Sequence, residues 1–453
     1  MTAVSFWFTQ IPPPAPRLPL QGDVAADVAI IGAGYTGLWT AYYLKRARPD
    51  LVVRVVEKRF AGYGASGRNG GWLTGGMAWD PERYAATHGT GPVRDFIAAM
   101  RDTVPEVIRA ARAEGIAADI HETDEVTFAT TAPQLARITA DHAERRAWGE
   151  DVQLLDAAQA TARVRIPGTL GAILTPGVAR VQPAKLVTGL AQAVDRLGVH
   201  IHEATTVTAI APGRVTTDRG TVRAGTVLRC TEGYTADLPG HRRDWLPLNS
   251  AQVVTAPLPD ALWQETGWQG RELLGDFANS YCYCQRTRDG RIALGGRGIP
   301  YRFGSRTDTG GQVDPGTLAW LLARLYRHFP ALRGHPLDHA WCGVLGVPRD
   351  WCATVGFDPG TRIGFAGGYV GVGVATSNLA GRTLADLTLG RDTGLTRLPW
   401  VNHRVRSWEP EPLRWLGVRG MYAALKAADR AEADGRPGPS SLARLAARVM
   451  GRG

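Results

Sequence analysis

Lysine is nearly missing from this chain of 453 residues: Lys45, Lys58, Lys185 and Lys426 are the only four, so arginine supplies almost all of its 52 basic side chains. Cysteine is scarce and odd in number (Cys230, Cys282, Cys284, Cys342 and Cys352). That excludes a disulfide scaffold and fits reduced thiols in a cytosol. Cys282 and Cys284 share one face of a strand without a second pair to complete a zinc site, and Pro336 separates His335 from His339, so no metal is expected. Residues Met1–Pro16 have neither a basic start nor a long apolar core, so no secretory signal is expected and a cytoplasmic setting is. The longest uncharged run, Ile363–Gly381, includes six glycines with Thr, Ser and Asn, which argues for a glycine-rich site and against a membrane span. No zinc finger, helix-turn-helix or RNA-binding aromatic motif accompanies the net charge of +10. Half of that excess lies in residues 400–453 and reads as a solvated basic tail, so no nucleic-acid partner is expected. Oligomeric state stays open.

Glycine, by contrast, is abundant. Fifty-five glycines imply many tight turns or close backbone approaches to a ligand. Apolar residues at 44% and charged residues at 21% are globular values, and the length allows two or three domains. A proline-rich arm, residues 1–21, reads as an extended strap whose aromatic start (Phe6, Trp7, Phe8) packs on the body. Val28–Ile31, a glycine turn, a helical stretch bearing Leu38, Ala41 and Leu44, and Leu51–Val56 then spell strand, helix, strand. Residues 81–147 have helical spacing interrupted by a strand near Ile120–Phe128, 183–197 form an amphipathic helix, and 245–305 alternate as an antiparallel sheet. Leu379–Leu389 looks helical, and the last thirty or so residues read as an Ala/Arg-rich helix or frayed tail.

The strongest motif is Gly32-Ala33-Gly34-Tyr35-Thr36-Gly37, a GxGxxG between a buried strand and a helix. There a tight turn and a helix N-terminus accept a pyrophosphate, and Glu57, twenty residues on at the end of the second strand, is placed to accept the adenosine ribose hydroxyls. Gly62–Gly67 also fits the pattern, but it follows no apolar strand and opens no helix, so only one such site is read and no NAD(P)H domain is evident.

Ala26–Gly34, Glu57-Lys58-Arg59 and Gly64–Gly71 together resemble the D-amino-acid-oxidase-like FAD-dependent oxidoreductases, and within them the branch related to gamma-glutamylputrescine oxidase. The similarity continues through Gly177–Leu186, His202–Ile210, Val227–Tyr234, Arg291–Gly298, Trp341–Asp350 and Gly367–Gly381, and covers roughly residues 22–395. It implies an α/β fold: a Rossmann-like FAD domain in three pieces (22–80, 161–240, 341–395), an inserted, mainly antiparallel β substrate domain (81–160, 241–340) and a basic helical C-terminal extension (396–453). It also implies non-covalent FAD on Gly32, Gly34, Tyr35, Thr36, Gly37, Glu57, Lys58, Ser66, Gly67, Arg68, Asn69, Gly70, Gly71, Val207 and Thr231. Gly367, Gly368, Tyr369, Gly371, Val372 and Gly373 would then lie along the flavin edge.

The implied activity is oxidation of a carbon–nitrogen bond: an amine gives hydride to flavin N5, the imine hydrolyses, and O2 reoxidises the flavin to yield H2O2. A dehydrogenase passing electrons to another acceptor and a flavin-binding protein without turnover are the alternatives, and a nicotinamide-dependent dehydrogenase is weaker. Trp72 and Tyr283 are candidate walls of the substrate pocket, and Arg286 or Arg297 a positive charge near the flavin. Relatives acting on α-amino acids carry an arginine clamp where this chain has Leu345, and many have a polar residue where it has Val372; an amine or polyamine derivative fits these departures better than an ordinary amino acid. Cys342 lies one position before the cysteine by which sarcosine oxidases hold flavin covalently, and a buried thiol is the reading taken here.

Overall fold

The computed structural model describes residues 4–77, 79–297, 301–307 and 310–435, with Arg297 described in its backbone only. Two sheets share the work. In the first, Val24–Ile31 lies between the parallel strands Gly220–Arg229 and Val53–Val56, with His200–His202 beyond the latter and Ile363–Gly367 beyond the former. Thr354–Asp358 closes that edge antiparallel, and the hairpin Val207–Ala211/Arg214–Thr217 hangs from Gly220–Arg229. A parallel sheet is buried on both faces, which is why Val28, Ala29, Ile30 and Ile31 read as an unbroken apolar run and are all buried.

The helix Tyr35–Ala47 starts at Gly34 and ends on Lys45 and Arg46, whose charges suit a helix C-terminus. Its Leu38, Trp39, Ala41 and Leu44 enter one core with residues of Thr90–Ala113, Pro183–Arg196 and Gly373–Thr388. The last of these begins six residues before the expected Leu379. Glycine costs helix propensity, but Gly381 lets it pack closely on the first helix, since a Cβ there would come 2.6 Å from the Trp39 Cβ.

The second sheet runs Leu337–Val347, Leu246–Thr255, Ile292–Arg297, Cys282–Arg286, Leu273–Asp276, His121–Ala129, Gly171–Arg180 and Trp72–Leu73. All neighbours are antiparallel except Leu273–Asp276 on His121–Ala129. The chain changes sheets at points that differ from the segment limits drawn above. Trp72–Leu73 and Gly171–Arg180 are strands of the second sheet, whereas Thr90–Ala113, within the 81–160 segment, packs its Phe96, Met100 and Val104 into the core of the first. Apolar spacing makes a helix visible in sequence; which sheet it covers depends on partners far along the chain.

The N-terminal arm straps the two sheets. Its start is a helical turn, Phe6–Thr9, whose Phe6 and Trp7 pack against Trp341, while Arg17 pairs with Asp195 at 2.6 Å and Glu203 at 3.0 Å. The C-terminal helix Leu413–Ala433 joins a core with Leu246, Leu248, Val347 and Trp351 and is tied down by Arg137–Glu432 at 2.7 Å and Arg324–Asp429 at 3.3 Å. Among the described residues no helix is long and apolar enough to cross a membrane.

Candidate functional site

The glycine turn is conformationally demanding. Gly32 has φ +102°, and a Cβ there would come 2.7 Å from the Cys230 carbonyl oxygen; a Cβ on Gly37 would come 2.0 Å from the Gly32 oxygen. Only glycine serves at either position. Glu57 spans the turn, one carboxylate oxygen accepting from Ala33 N–H and the other from Arg59 N–H, both at 2.9 Å. Burial raises its pKa, and each oxygen keeps a lone pair beyond its backbone bond. The amides that open a helix lack intrahelical acceptors. Here Tyr35 N–H is taken by Ser66 Oγ at 2.8 Å, which leaves those of Thr36 and Gly37.

Residues 66–71 form a shaped segment. Asn69 donates to the Ala65 and Ser66 carbonyls and accepts from Gly71 N–H, and Ser5 and Trp7 of the arm bond the Gly67 and Asn69 carbonyls. Arg68 is buried, its guanidinium over the Tyr63 ring at 4.2 Å and bonded to the Tyr63 and Cys342 carbonyls. Val207 starts the hairpin strand two residues after Thr205, whose N–H bonds the Glu57 carbonyl, and Thr231 Oγ1 meets Thr235 Oγ1 at 2.8 Å. Lys58 stands apart: half-exposed, it pairs with Asp237 at 3.2 Å.

Across the cleft, Gly367 ends a strand, and Gly368 and Gly371 take φ +77° and +110° before Val372 caps the helix from Gly373. Tyr369 OH meets Thr36 Oγ1 at 2.9 Å, joining this loop to the first helix. Sequence reading missed what holds the loop. Glu232, itself at φ +42°, accepts from the N–H groups of Gly368 at 3.0 Å, Tyr369 at 3.1 Å and Gly346. Burial pushes its pKa up to about 7 against the pull of those donors. The Gly368 and Tyr369 amides are therefore already taken, whereas the helix-opening amides of Gly373 and Val374 have no intrahelical acceptor.

Between the sheets lies a cavity of about 610 Å³. It brings together Arg68, Asn69, Gly70, Trp72, Tyr283, Gly371 and Val372 of the expected residues. Trp72 and Tyr283 meet edge to face at 5.8 Å, and Tyr283 OH meets Ser250 Oγ at 3.1 Å. Arg286 is turned elsewhere, stacked 3.8 Å over Trp263 and bonded to the Trp268 carbonyl. Arg297 ends its strand opposite Ser250, and its side chain lies outside the described residues. Cys342 is buried, with Sγ 3.4 Å from the Gln312 carbonyl.

The cavity also recruits residues the sequence did not single out. Tyr422 and Leu425 of the C-terminal helix form part of its wall. Leu345, Leu248, Val370 and Val374 make the end near Gly371 apolar, and Glu125, Asp141, Glu144 and Glu150 make the other end acidic. Of the arginines in the wall, Arg137 is committed to Glu432 and Arg145 to Glu150 at 2.8 Å. Among the described residues Glu125 accepts only from Thr74 and Thr127, and Glu144 makes no ion pair. Burial raises the pKa of Glu125, Asp141 and Glu144 alike. Asp276 and Cys282 also line the cavity, and Asp276 Oδ2, Cys282 Sγ and His328 Nε2 lie 3.1–3.2 Å apart in a buried hydrogen-bonded triad.

A glycine turn opening a helix, a carboxylate at the end of the second strand and a separate sheet roofing a cavity define a dinucleotide-binding oxidoreductase frame. The chain belongs to the DAO family of FAD-dependent oxidoreductases, whose family model matches residues 27–387. It is 29% identical to gamma-glutamylputrescine oxidoreductase of Escherichia coli K12, over 83% of this chain and 86% of that protein. It is 30% identical to the probable oxidoreductase OrdL of Rhizobium meliloti, over 86% and 90%. Among solved structures it resembles glycine oxidase from Geobacillus kaustophilus (TM-score 0.70, 23% identity, 84% of this chain and 99% of that one). It also resembles NikD, an amino acid oxidase of nikkomycin biosynthesis (TM-score 0.65, 20% identity, 85% and 99%). FAD is the cofactor of this family, and the cleft fits it: the turn excludes any side chain at Gly32 and Gly37, and the helix start and Glu57 offer donors and acceptors in the order a dinucleotide needs.

Proposed function

We propose that this chain oxidises the C–N bond of an amine that carries a second positive charge remote from the reacting carbon. In this reading Glu57 binds the ribose, and the amides of Thr36 and Gly37 the pyrophosphate. Ser66 to Gly71, Val207 and Thr231 border the remainder, and the opening of the helix at Gly373 faces the flavin edge. Lys58 is left out because Asp237 holds it. Bound FAD supplies the two-electron acceptor.

The chain's own residues do the rest. Leu345, Leu248 and Val374 present an apolar surface that favours an uncharged reacting amine, because burial disfavours its protonated form. Trp72 and Tyr283 restrict the substrate's approach, and orientation of this kind is a main contribution a protein makes to such a reaction. The carrying observation is the charge division of the cavity: four carboxylates at one end share the single cation Arg145, with Glu125 and Glu144 in no ion pair among the described residues, and leucine stands where an α-carboxylate would need a cation. The relatives named for gamma-glutamylputrescine and glycine support amine chemistry in general.

The test is anaerobic mixing of the holoprotein with primary, secondary and acylated amines, diamines and α-amino acids, followed by air. Loss of the oxidised-flavin colour with diamines, well ahead of α-amino acids, supports the reading. Bleaching by none of them, or preferentially by α-amino acids, contradicts it. Peroxide formed when air returns separates an oxidase from a dehydrogenase using another acceptor.

A further inference from the structure

A second cavity, of about 320 Å³, lies against the arm between Phe6, Trp7, Asp119, Arg180, Lys185 and Arg288. Arg180 ends a strand of the second sheet and is only 4% exposed. Its sole hydrogen-bond acceptors among the described residues are two peptide carbonyls, of Arg286 and Asp119, each at 3.2 Å, and its Nε has none. It has no ion pair among those residues. The cations beside it do not spare a carboxylate: Lys185 at 2.7 Å and Arg288 at 2.8 Å both converge on Asp119, while Asp289 is held by Arg291 at 2.6 Å. Burial, with Arg271 and Arg288 nearby, lowers the Arg180 pKa to about 10. A guanidinium buried without an ion pair is costly; Asp119 and Asp289 offset part of that cost from nearby, and an anion entering from outside would offset more of it.

Three residues that line this cavity, Trp7, Val181 and Gln285, bond the segment that borders the first one. Val181 N–H bonds the Gly71 carbonyl at 2.8 Å, Gln285 bonds that of Gly70, and Trp7 Nε1 bonds that of Asn69 at 2.8 Å, while Asn69 and Gly70 line the 610 Å³ cavity. We propose that the second cavity is a binding site for a small organic anion bearing a carboxylate or phosphate group, with Arg180 as its principal charge partner and Lys185 and Arg288 at its rim. Phe6 and Trp7 give it an apolar side for a carbon skeleton, and the shared Asn69–Gly71 segment couples an anion there to the flavin environment.

The experiment uses FAD-saturated holoprotein, so that the pyrophosphate cleft is filled, at constant ionic strength set with chloride. Inorganic phosphate, succinate and a phosphorylated three-carbon acid are titrated separately, with calorimetry, Tm and the flavin spectrum as readouts. Saturable binding with a rise in Tm is expected for at least one of them. The spectrum should shift in parallel, and the arm that responds shows which anionic group is recognised. Arg180→Gln should weaken binding about tenfold or more. Lys185→Gln, at the rim, should weaken it by a smaller factor and guards against misfolding of the first variant. Absence of saturable binding by all three anions overturns the proposal, and so does binding that survives both substitutions, which would mark an adventitious ion only.

Discussion

The cofactor cleft and the substrate cavity are built on different principles. The cleft is made of main chain: Gly32, Gly34 and Gly37 shape a turn within six residues, and Glu57 fixes it by accepting from two backbone amides. The cavity is made of side chains drawn from residue 65 to residue 425. A backbone cradle tolerates little change of residue because a Cβ at Gly32 or Gly37 is excluded by a main-chain oxygen, whereas a side-chain wall can be re-lined one residue at a time. Cofactor and fold therefore stay with the family while substrate preference moves, and the comparison predicts that damage on the two sides differs in size and kind.

The largest effect belongs to Gly37→Ala. A methyl group 2.0 Å from a carbonyl oxygen cannot be relieved by a side-chain rotation, so a loss of ~3 kcal/mol or more of stability is expected, with loss of bound flavin. Thermal unfolding and the flavin-to-protein absorbance ratio check it; a yellow variant of unchanged Tm would break the contrast.

Next is Glu57→Ala, which removes the carboxylate's bonds to the turn and, on the proposed assignment, to the ribose; the expected loss is ~1.5–3 kcal/mol, or about 10- to 100-fold in FAD affinity. Titration of apoprotein with FAD measures it, and unchanged affinity would remove Glu57 from the cradle.

Glu232→Gln is expected to cost ~1–2 kcal/mol, because an amide NH2 must then confront one of the backbone N–H groups the carboxylate now accepts from. Its pH signature has a definite sign. With the folded pKa raised from the ordinary 4.5 to about 7, the folded state holds the proton more tightly. The contribution is thus complete below pH 4.5, falls as pH climbs to about 7 and is level above that. Denaturant unfolding across this range should show the fall in the parent protein and a flatter profile in the variant; identical profiles would mean that Glu232 does not titrate there.

The same contrast explains what could be read from sequence. The strand, turn, helix and second strand of residues 28–57 were evident because apolar period, glycine spacing and the acidic residue all lie within one short stretch. The basic C-terminal segment showed only that it was helical. That Tyr422 and Leu425 wall the cavity follows from contacts such as Arg137 with Glu432, 295 residues apart, which no local pattern encodes. Asp276, Cys282 and His328 form their triad across 52 residues for the same reason. Glu232 carried a faint signal, a carboxylate three residues past the end of a buried strand and just before Gly233, but its acceptor role needs the loop at Gly368, which folding alone brings near. Arg286 reads as a cavity charge by strand position, yet Trp263 offers its guanidinium a face to stack on, and it turns there instead.

The smallest expected effect tests the central claim most directly, that the acidic end of the cavity selects a second positive charge. Anaerobic flavin reduction should be followed with a diamine and with the monoamine of equal length, in the parent protein and in Glu125→Gln. The account predicts a parent preference for the diamine that drops about five- to tenfold in the variant, on the order of 1 kcal/mol, while FAD content stays the same. Equal preference in the two proteins, or no preference in the parent, would contradict it.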